Sequence, residues 1–326
     1  MLKISKKICI VLILATFLSF SLAISTVFAG GPTYTVDTLT DENDGDCGGD
    51  GDCALRDALD DASSTGGKID FSVSGTITFG SNGPSISGSN AISLECDGNI
   101  IFDGSGGSWK GFHLGNNGTI KGCQIQNMNE SSVYMEGGAT LGGATAADRN
   151  IILDKGIDVS SNNNRIVGNY IGLESDGSTV NAGATGVYIS SGSGHQIGSN
   201  SAGGINVISG QSGCGIDFAT IGVTGDVNIW GNYIGTDATG TVSKQNTTGI
   251  CIDNGTPTLA GNIVIGGNTE DERNVIAGNL GDGIYISTAT FTGNLSIDGN
   301  FIGVDSTGNT MLTNGDEGIE LYSADC

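Results

Sequence analysis

The sequence predicts an all-β fold in which short parallel strands stack coil upon coil, that is, a parallel β-helix. The first observation is an internal repeat: the run GNYIG at 168–172 returns at 231–235 and, as GNFIG, at 299–303. The second is that apolar residues come in short bursts separated by Gly, Asn, Asp, Ser and Thr, a spacing that suits strands and no helix. Strands this short become stable when each one pairs with its counterpart one coil later.

Three further runs also return, at offsets of 56 to 69 residues, and define a cassette of about 65 residues, which occurs three times from about Ala139 to the end of the chain. They are NII, NVI and NVI at 150–152, 206–208 and 274–276; GVYI, GICI and GIEL at 186–189, 249–252 and 318–321; and LGG, IGS and IGG at 141–143, 197–199 and 265–267. We expect three coils of about 22 residues in each cassette, with strands ~4.8 Å apart and like residues in vertical columns. A β-propeller is the alternative architecture, but its blades need longer antiparallel strands.

The asparagine that follows glycine in each repeat is expected at a corner of the coil. Asn169, Asn232 and Asn300 would adopt the left-handed backbone there, because Asn tolerates it better than most residues. Each amide would bond to the copy above. These residues therefore predict asparagine ladders.

Residues 30–73 are expected to form an N-terminal cap, followed by the β-helix over 74–326. The apolar residues of 54–62 share one face at helical spacing, Asp52 is placed to cap the helix start, and Gly66-Gly67 is placed to end it. A stacked coil leaves unpaired strand edges and apolar surface at its open end. We interpret the helix as a lid on that end.

Residues 1–29 have the form of a signal peptide: a basic start, an apolar stretch over 8–22, and the run VFA at 27–29, which places small residues where a signal peptidase reads them. A membrane anchor is the alternative, but the stretch is shorter than the ~20 residues a spanning helix needs. The mature chain would lose three lysines, leaving 9 basic against 35 acidic residues, so its net charge falls from -23 to -26. We therefore expect an exported protein with no nucleic-acid partner and no membrane span in the mature chain.

Parts of the cap and of the repeats resemble a known family. The acidic, Gly-rich stretch from Thr38 runs into CALRDAL at 53–59 and resembles the CSLREA domain that opens many exported bacterial right-handed parallel β-helix proteins. Four residues match that motif and three depart from it: Cys53, Leu55, Arg56 and Ala58 match, whereas Ala54, Asp57 and Leu59 differ. GNYIGTDATG at 231–240 and RNVIAGN at 273–279 resemble coils of the same family. The resemblance covers most of 34–326 and implies the fold; members range from surface adhesins to polysaccharide lyases.

Two kinds of site are suggested by the cysteines and by the acidic loop beside them. An exported chain permits disulfides, and Cys47 and Cys53 are the expected pair, with the remaining cysteines free to be buried thiols. The loop has the oxygen density that Ca²⁺ favours, although it does not follow the EF-hand register. The alternative is an ordinary solvated turn. The candidate calcium ligands are Asp41, Asp44, Asp46, Asp50 and Asp52.

Two rows of equivalent residues are candidates for glycan contact. The aromatic row is Tyr170, Tyr233 and Phe301, which would stack on sugar rings if it faces outward and would be core if it faces inward. The acidic row is Glu174, Asp237 and Asp305, whose members are expected too far apart to share one ion. Arg149 and Arg273 also occupy equivalent positions, with Ile205 at the third, and a repeated arginine suits a ladder better than a unique catalytic base.

No catalytic set of residues is recognisable. The sequence therefore favours a secreted or cell-surface, non-catalytic rod, adhesin-like or structural, that binds polysaccharide or another surface glycan and needs no cofactor beyond a calcium ion. The alternative is a calcium-dependent polysaccharide lyase or a glycosidase acting on acidic polysaccharide. The chain stops at Cys326 without a closing coil, so we expect its C-terminal end to continue, to dock on a partner or to dimerise.

Overall fold

The computed structural model shows a right-handed parallel β-helix of nine coils, built from three parallel sheets. With strands ~4.8 Å apart, the nine coils span roughly 40 Å. The structure describes residues 31–45, 47, 52–105, 110–201, 203–218, 223–254, 261–288 and 293–322. The signal peptide predicted at 1–29 lies outside these residues. No helix in the described ranges is long and apolar enough to cross a membrane.

Each complete coil contributes one strand to each sheet, in the order A, B, C. Sheet A contains Thr33–Val36 (β1), Gly67–Phe71 (β2), Ile92–Glu95 (β5), Gly118–Lys121 (β8), Thr140–Gly142 (β11), Arg165–Val167 (β14), His195–Gly198 (β17), Val227–Trp230 (β20), Ile263–Gly266 (β23) and Leu295–Asp298 (β26). Sheet B contains Gly75–Thr78 (β3), Ile100–Asp103 (β6), Gln124–Gln126 (β9), Ile151–Ile152 (β12), Tyr170–Ile171 (β15), Val207–Ile208 (β18), Tyr233–Ile234 (β21), Val275–Ile276 (β24) and Phe301–Ile302 (β27). Sheet C contains Ser85–Ile86 (β4), Phe112–Leu114 (β7), Val133–Glu136 (β10), Ile157–Ser160 (β13), Val187–Ile189 (β16), Cys214–Phe218 (β19), Thr248–Asn254 (β22), Ile284–Thr288 (β25) and Ile319–Tyr322 (β28).

The core consists of vertical columns of aliphatic side chains, as the repeat predicts. On sheet A, Ile166 pairs with Ile197, Ile197 with Ile229, and Ile229 with Ile265, and all four are buried. Each strand therefore buries its inward residues against the coils above and below, which stabilises strands of only two to seven residues.

The number of coils in a cassette differs from the expectation. Each cassette contains two coils, not three of about 22 residues, because Ile166, Ile197, Ile229 and Ile265 lie 31, 32 and 36 residues apart in adjacent coils. The loops account for the difference. After the GNYIG-type runs the chain makes hairpins at 173–181, 236–244 and 304–312, closed by the antiparallel pairs Leu173–Val180, Thr236–Ser243 and Val304–Met311.

A ladder of asparagines occupies the corner between sheets A and B. Each side-chain amide donates to the next member at 2.9–3.2 Å, and five of the six members are fully buried. The members are Asn150, Asn169, Asn206, Asn232, Asn274 and Asn300. The prediction of an asparagine ladder is confirmed, but the order of its members differs from the expectation. The asparagine of each GNYIG-type run bonds to asparagines of the NII- and NVI-type runs, and not to the asparagine of the next GNYIG-type run.

The prediction that these asparagines adopt the left-handed backbone conformation is wrong. The left-handed residue is the glycine before the asparagine, with φ of 74° at Gly168, 57° at Gly231 and 67° at Gly299. The asparagines that follow are not left-handed. Glycine has no Cβ to clash in that region, so it takes the turn and leaves asparagine free to form the ladder.

The N-terminal helix forms as predicted and spans Leu55–Thr65 (α1), between β1 and β2. Its apolar face is buried, and it packs on β1, β2 and β4 at the first coil, as expected of a lid. The helix start differs: Ala54 occupies the cap position, and the Asp57 carboxylate accepts from the Ala54 amide at 3.3 Å, so Asp52 does not cap it. Gly66 ends the helix with φ of 70°. A short 3-10 helix, Ala146–Asp148, is the other helical element described.

Three disulfides cross-link the part of the chain that the structure describes. The predicted pair Cys47–Cys53 is confirmed. Four cysteines that the sequence left as candidate buried thiols form two further disulfides, Cys96–Cys123 and Cys214–Cys251, each between adjacent coils. Cys9 and Cys326 lie outside the described residues. The pairs between coils arise because a cysteine in one coil lies over a cysteine of the next, within the reach of a disulfide.

Candidate functional site

The predicted calcium loop is tied to the cap helix by its own acidic residues. Both oxygens of Asp41 accept from the Arg56 guanidinium, at 2.6 and 3.1 Å, and Arg56 also donates to the carbonyl of Asn82. Asp44 and Asp52 are exposed. The candidate ligands Asp46 and Asp50 lie outside the described residues. Calcium in this loop stays a prediction, and Asp41 has a structural partner.

A cluster of three acidic side chains elsewhere in the structure could hold a cation, and the sequence did not indicate this cluster. Asp282, Glu317 and Glu320 each place one oxygen within 4.8 Å of the others, near the last coil. They are separated in the chain and meet only because β25 pairs with β28. No local pattern in the sequence marks such a group.

The predicted aromatic row lies on the outer face of sheet B, beneath the hairpins. In each strand the following isoleucine faces the interior, so Tyr170, Tyr233 and Phe301 point away from the main core. They are nonetheless partly or fully covered. A second, smaller apolar cluster forms there, with Tyr233 packed against it, from Ile151, Leu153, Tyr170, Leu173 and Val207.

The repeated arginines stack on this row. The Arg149 guanidinium lies 4.2 Å from the centre of the Tyr170 ring, and Arg273 lies 4.3 Å from the centre of the Phe301 ring. This is cation–π geometry, and it agrees with the interpretation of these arginines as repeat residues. Ile205 takes the third position and is 39% exposed. A groove of about 570 Å³ between the second and third repeats is lined by Ile205, Tyr233, Arg273 and Phe301, among others.

The predicted acidic row belongs to the hairpins. One oxygen of Asp237 accepts from the amides of Thr241 and Val242, and Asp305 accepts from the amides of Thr307 and Thr310. The hydrogen bond from the Thr307 hydroxyl, with the backbone amides, lowers the pKa of Asp305 to about 2. Glu174 accepts from the Asn181 amide at 3.1 Å. Successive members lie two coils apart, not three.

A column of outward-facing residues on sheet C was not predicted as a site. We call it the sheet C column; its members are in register, one per coil, and they are Ser85, His113, Tyr134, Asp158, Tyr188, Asp217, Cys251, Tyr285 and Glu320. Strand alternation explains the direction. Val187 and Ile189 are fully buried while Tyr188 between them is 38% exposed. The run GVYI already contained this signal, because its third letter is the polar one.

A lateral groove follows the first half of this column. One part, of about 460 Å³, is lined by Ser85, His113, Tyr134 and Asp158, and a second, of about 240 Å³, is lined by Asp158 and Tyr188. Asp158 and two neighbours, Glu130 and Ser131, line both parts, so we treat them as one sheet C groove.

Polar contacts hold the first part of the sheet C groove. His113 Nε2 lies 2.8 Å from Glu136 Oε2, and the His113 and Tyr134 ring centres are 5.5 Å apart. The Ser160 hydroxyl donates to the Tyr134 hydroxyl at 3.1 Å. These contacts fix two aromatic rings and a carboxylate at the surface before any ligand binds.

Further along the column, Asp158 and Asp217 lie in surroundings that disfavour their ionised forms. Burial raises the pKa of Asp158, and burial together with the nearby Asp253 carboxylate raises the pKa of Asp217 to about 6. Neither Asp158 nor Asp217 forms an ion pair within the part of the chain that the structure describes. Groups with such shifts concentrate at functional sites. The groove therefore combines aromatic rings with one carboxylate, Asp158, that forms no ion pair, and Asp217 continues the same column beyond the groove.

Comparison with known proteins adds no assignment: no family model and no curated protein matches this chain.

Proposed function

We propose that this protein is an exported, cell-surface glycan-binding β-helix, and that a saccharide chain lies along the sheet C groove. The observation that supports this most is the alternation of aromatic and carboxylate side chains along the groove, from His113 and Tyr134 through Asp158 to Tyr188. Sugars are recognised by rings that contact their apolar faces and by carboxylates that accept from their hydroxyls.

The spacing of the column supports an extended ligand. Tyr134 and Tyr188 are two coils apart, which is roughly 10 Å along the axis, with Asp158 between them. A polymer that runs parallel to the axis meets a new side chain at each coil. The rigid coils hold these side chains in place, so binding costs little ordering of the protein.

The experiment is retention of neutral, acidic and amine-bearing glycans on an array by the purified mature protein, followed by one substitution in each groove. Tyr188→Ala, at 38% exposure, should weaken retention by about tenfold or more, because it removes an exposed ring of the sheet C groove. Ile205→Ala, at 39% exposure in the groove under the hairpins, should leave retention unchanged.

If Ile205→Ala weakens retention and Tyr188→Ala does not, the ligand lies on sheet B, beside the predicted aromatic row. Retention of no glycan by the unmodified protein would leave a purely structural rod. Release of unsaturated uronates from an acidic substrate, followed by their ultraviolet absorbance, would instead identify the lyase that the sequence left as the alternative.

A further inference from the structure

Three consecutive members of the sheet C column place a tyrosine between two aspartates. Asp158, Tyr188 and Asp217 are in direct register, Asp158 with Tyr188 and Tyr188 with Asp217, on β13, β16 and β19. We call them the carboxylate–tyrosine triad. Asp158 and Tyr188 also line the second part of the sheet C groove.

The triad contains negative groups without a positive partner. Asp158 Oδ1 is buried and has no hydrogen-bond partner among the described residues. The groups that face the triad from its own and adjacent strands are Tyr134, Ser190, Cys251 and Asp253, none of which is basic. Lys155 is exposed, lines the same groove and forms no ion pair with Asp158.

A half-buried carboxylate without a cation is costly to ionise, and this is why burial raises the pKa of Asp158 and Asp217. A bound cation would remove that cost. The triad is therefore electrostatically complementary to a positive ligand and unfavourable for a negative one, and the chain's net charge of -23 acts in the same direction at longer range.

The geometry limits the kind of cation. Asp158 and Asp217 are two coils apart, roughly 10 Å between their Cα atoms, whereas a calcium ion needs its oxygen ligands at about 2.3–2.6 Å. One metal ion cannot contact both carboxylates. An extended molecule with ammonium groups along its length can, and Tyr188 between the two offers a ring for a cation–π contact or a sugar face.

We propose that the carboxylate–tyrosine triad binds the protonated amino groups of a glycan, so that the ligand of the sheet C groove carries free amino sugars. This inference rests on the proposed glycan-binding function and names its ligand class. It departs from the acidic polysaccharide that the sequence suggested as an enzyme substrate.

The test compares ligands that differ in charge: oligomers of glucosamine, oligomers of N-acetylglucosamine of the same length, and oligomers of galacturonate. Calorimetric titration near neutral pH should show the glucosamine oligomers binding at least about tenfold more tightly than the acetylated ones, and the galacturonate oligomers binding weakest. The advantage of the free amine should fall as the pH drops below about 6, where Asp217 becomes protonated.

Substitutions then locate the effect. Asp158→Asn and Asp217→Asn should each reduce, several-fold, the ratio of the affinity for the glucosamine oligomers to the affinity for the acetylated oligomers. Asp97→Asn is the matched control: Asp97 is exposed, lies in a turn outside the groove and has a φ of 50° that asparagine tolerates, so the preference should persist.

Each outcome decides the inference. Equal binding of free and acetylated oligomers, tighter binding of galacturonate, or a preference that survives both triad variants would overturn it. In those cases the proposed glycan-binding function still stands if Tyr188→Ala weakens retention of any glycan. If Tyr188→Ala weakens none, the proposed function fails as well. Urea denaturation of each variant distinguishes lost binding from lost folding.

Discussion

Replacing Asn232 with alanine should remove a hydrogen-bonding centre from the interior of the solenoid. The Asn232 amide donates to the carbonyls of Ile197 and Trp230 and to the side-chain oxygen of Asn274, at 2.9–3.0 Å. Its own oxygen accepts from Asn206 at 2.9 Å, and the residue is fully buried. Alanine restores none of these contacts, and water does not reach them.

The magnitude follows from the groups left behind. Asn232→Ala leaves the Ile197 carbonyl and one N–H of the Asn206 amide without a partner, and each such buried group costs about 1–3 kcal/mol. We expect the free energy of unfolding to fall by about 3 kcal/mol. Most of the loss should be local, since each coil contacts mainly its neighbours.

Asn262→Ala is the matched control. Asn262 also belongs to a ladder: it donates to Asp226 at 2.8 Å and accepts from the Asn294 amide at 3.1 Å, but it is exposed. Water can replace both bonds, so the loss should stay below about 1 kcal/mol.

Urea denaturation with the disulfides intact, followed by circular dichroism, measures both variants, and hydrogen exchange localises the change. Equal losses for Asn232→Ala and Asn262→Ala would refute the reasoning, because burial is the difference between the two sites.

Two other expectations concern single charged groups. The native pKa of Asp217 is raised to about 6, above the ordinary aspartate pKa of ~3.9, so the fold loses stability as the pH rises from about 4 towards 6, and the loss is complete above that. Asp217→Asn should therefore stabilise the protein by about 1–2 kcal/mol at alkaline pH, after allowance for solvent screening, and hardly at all below pH ~3.9. A stability gain independent of pH in thermal denaturation would contradict this. Arg56→Ala should lower the free energy of unfolding by about 2–4 kcal/mol in urea denaturation, because Asp41, whose side chain is 5% exposed, loses its bidentate partner. Arg56→Lys should recover part of this loss. An unchanged denaturation midpoint for Arg56→Ala would show that the ion pair does not stabilise the fold.

The sequence was sufficient for the architecture because the repeat itself carries the information. Equivalent apolar residues can be buried in very short strands only if coils stack in register, so the recurrence of Ile at fixed places implied vertical columns, which the Ile166–Ile197–Ile229 pairs show. The cap helix was equally local, since its apolar face and its terminal glycine lie within a dozen residues. The Cys47–Cys53 pair followed from close spacing in one loop.

Coil number and side-chain direction depended on the tertiary structure. A repeat period of 63 or 68 residues fits two long coils or three short ones, and only the loops decide, because they add residues without adding strands. The aromatic row was ambiguous for the same reason: corners break the alternation of inward and outward residues, so Tyr170 could not be oriented from its neighbours alone.

The residues of the candidate site could not be grouped from the sequence either. Asp158, Tyr188 and Asp217 are about thirty residues apart in the chain, and no local pattern joins them. They become neighbours because three coils of unequal length bring their sheet C strands into one register. Composition and periodicity determined that the coils stack, whereas loop lengths determined which polar residue lies above which, and that vertical order sets the burial and the charge of each carboxylate.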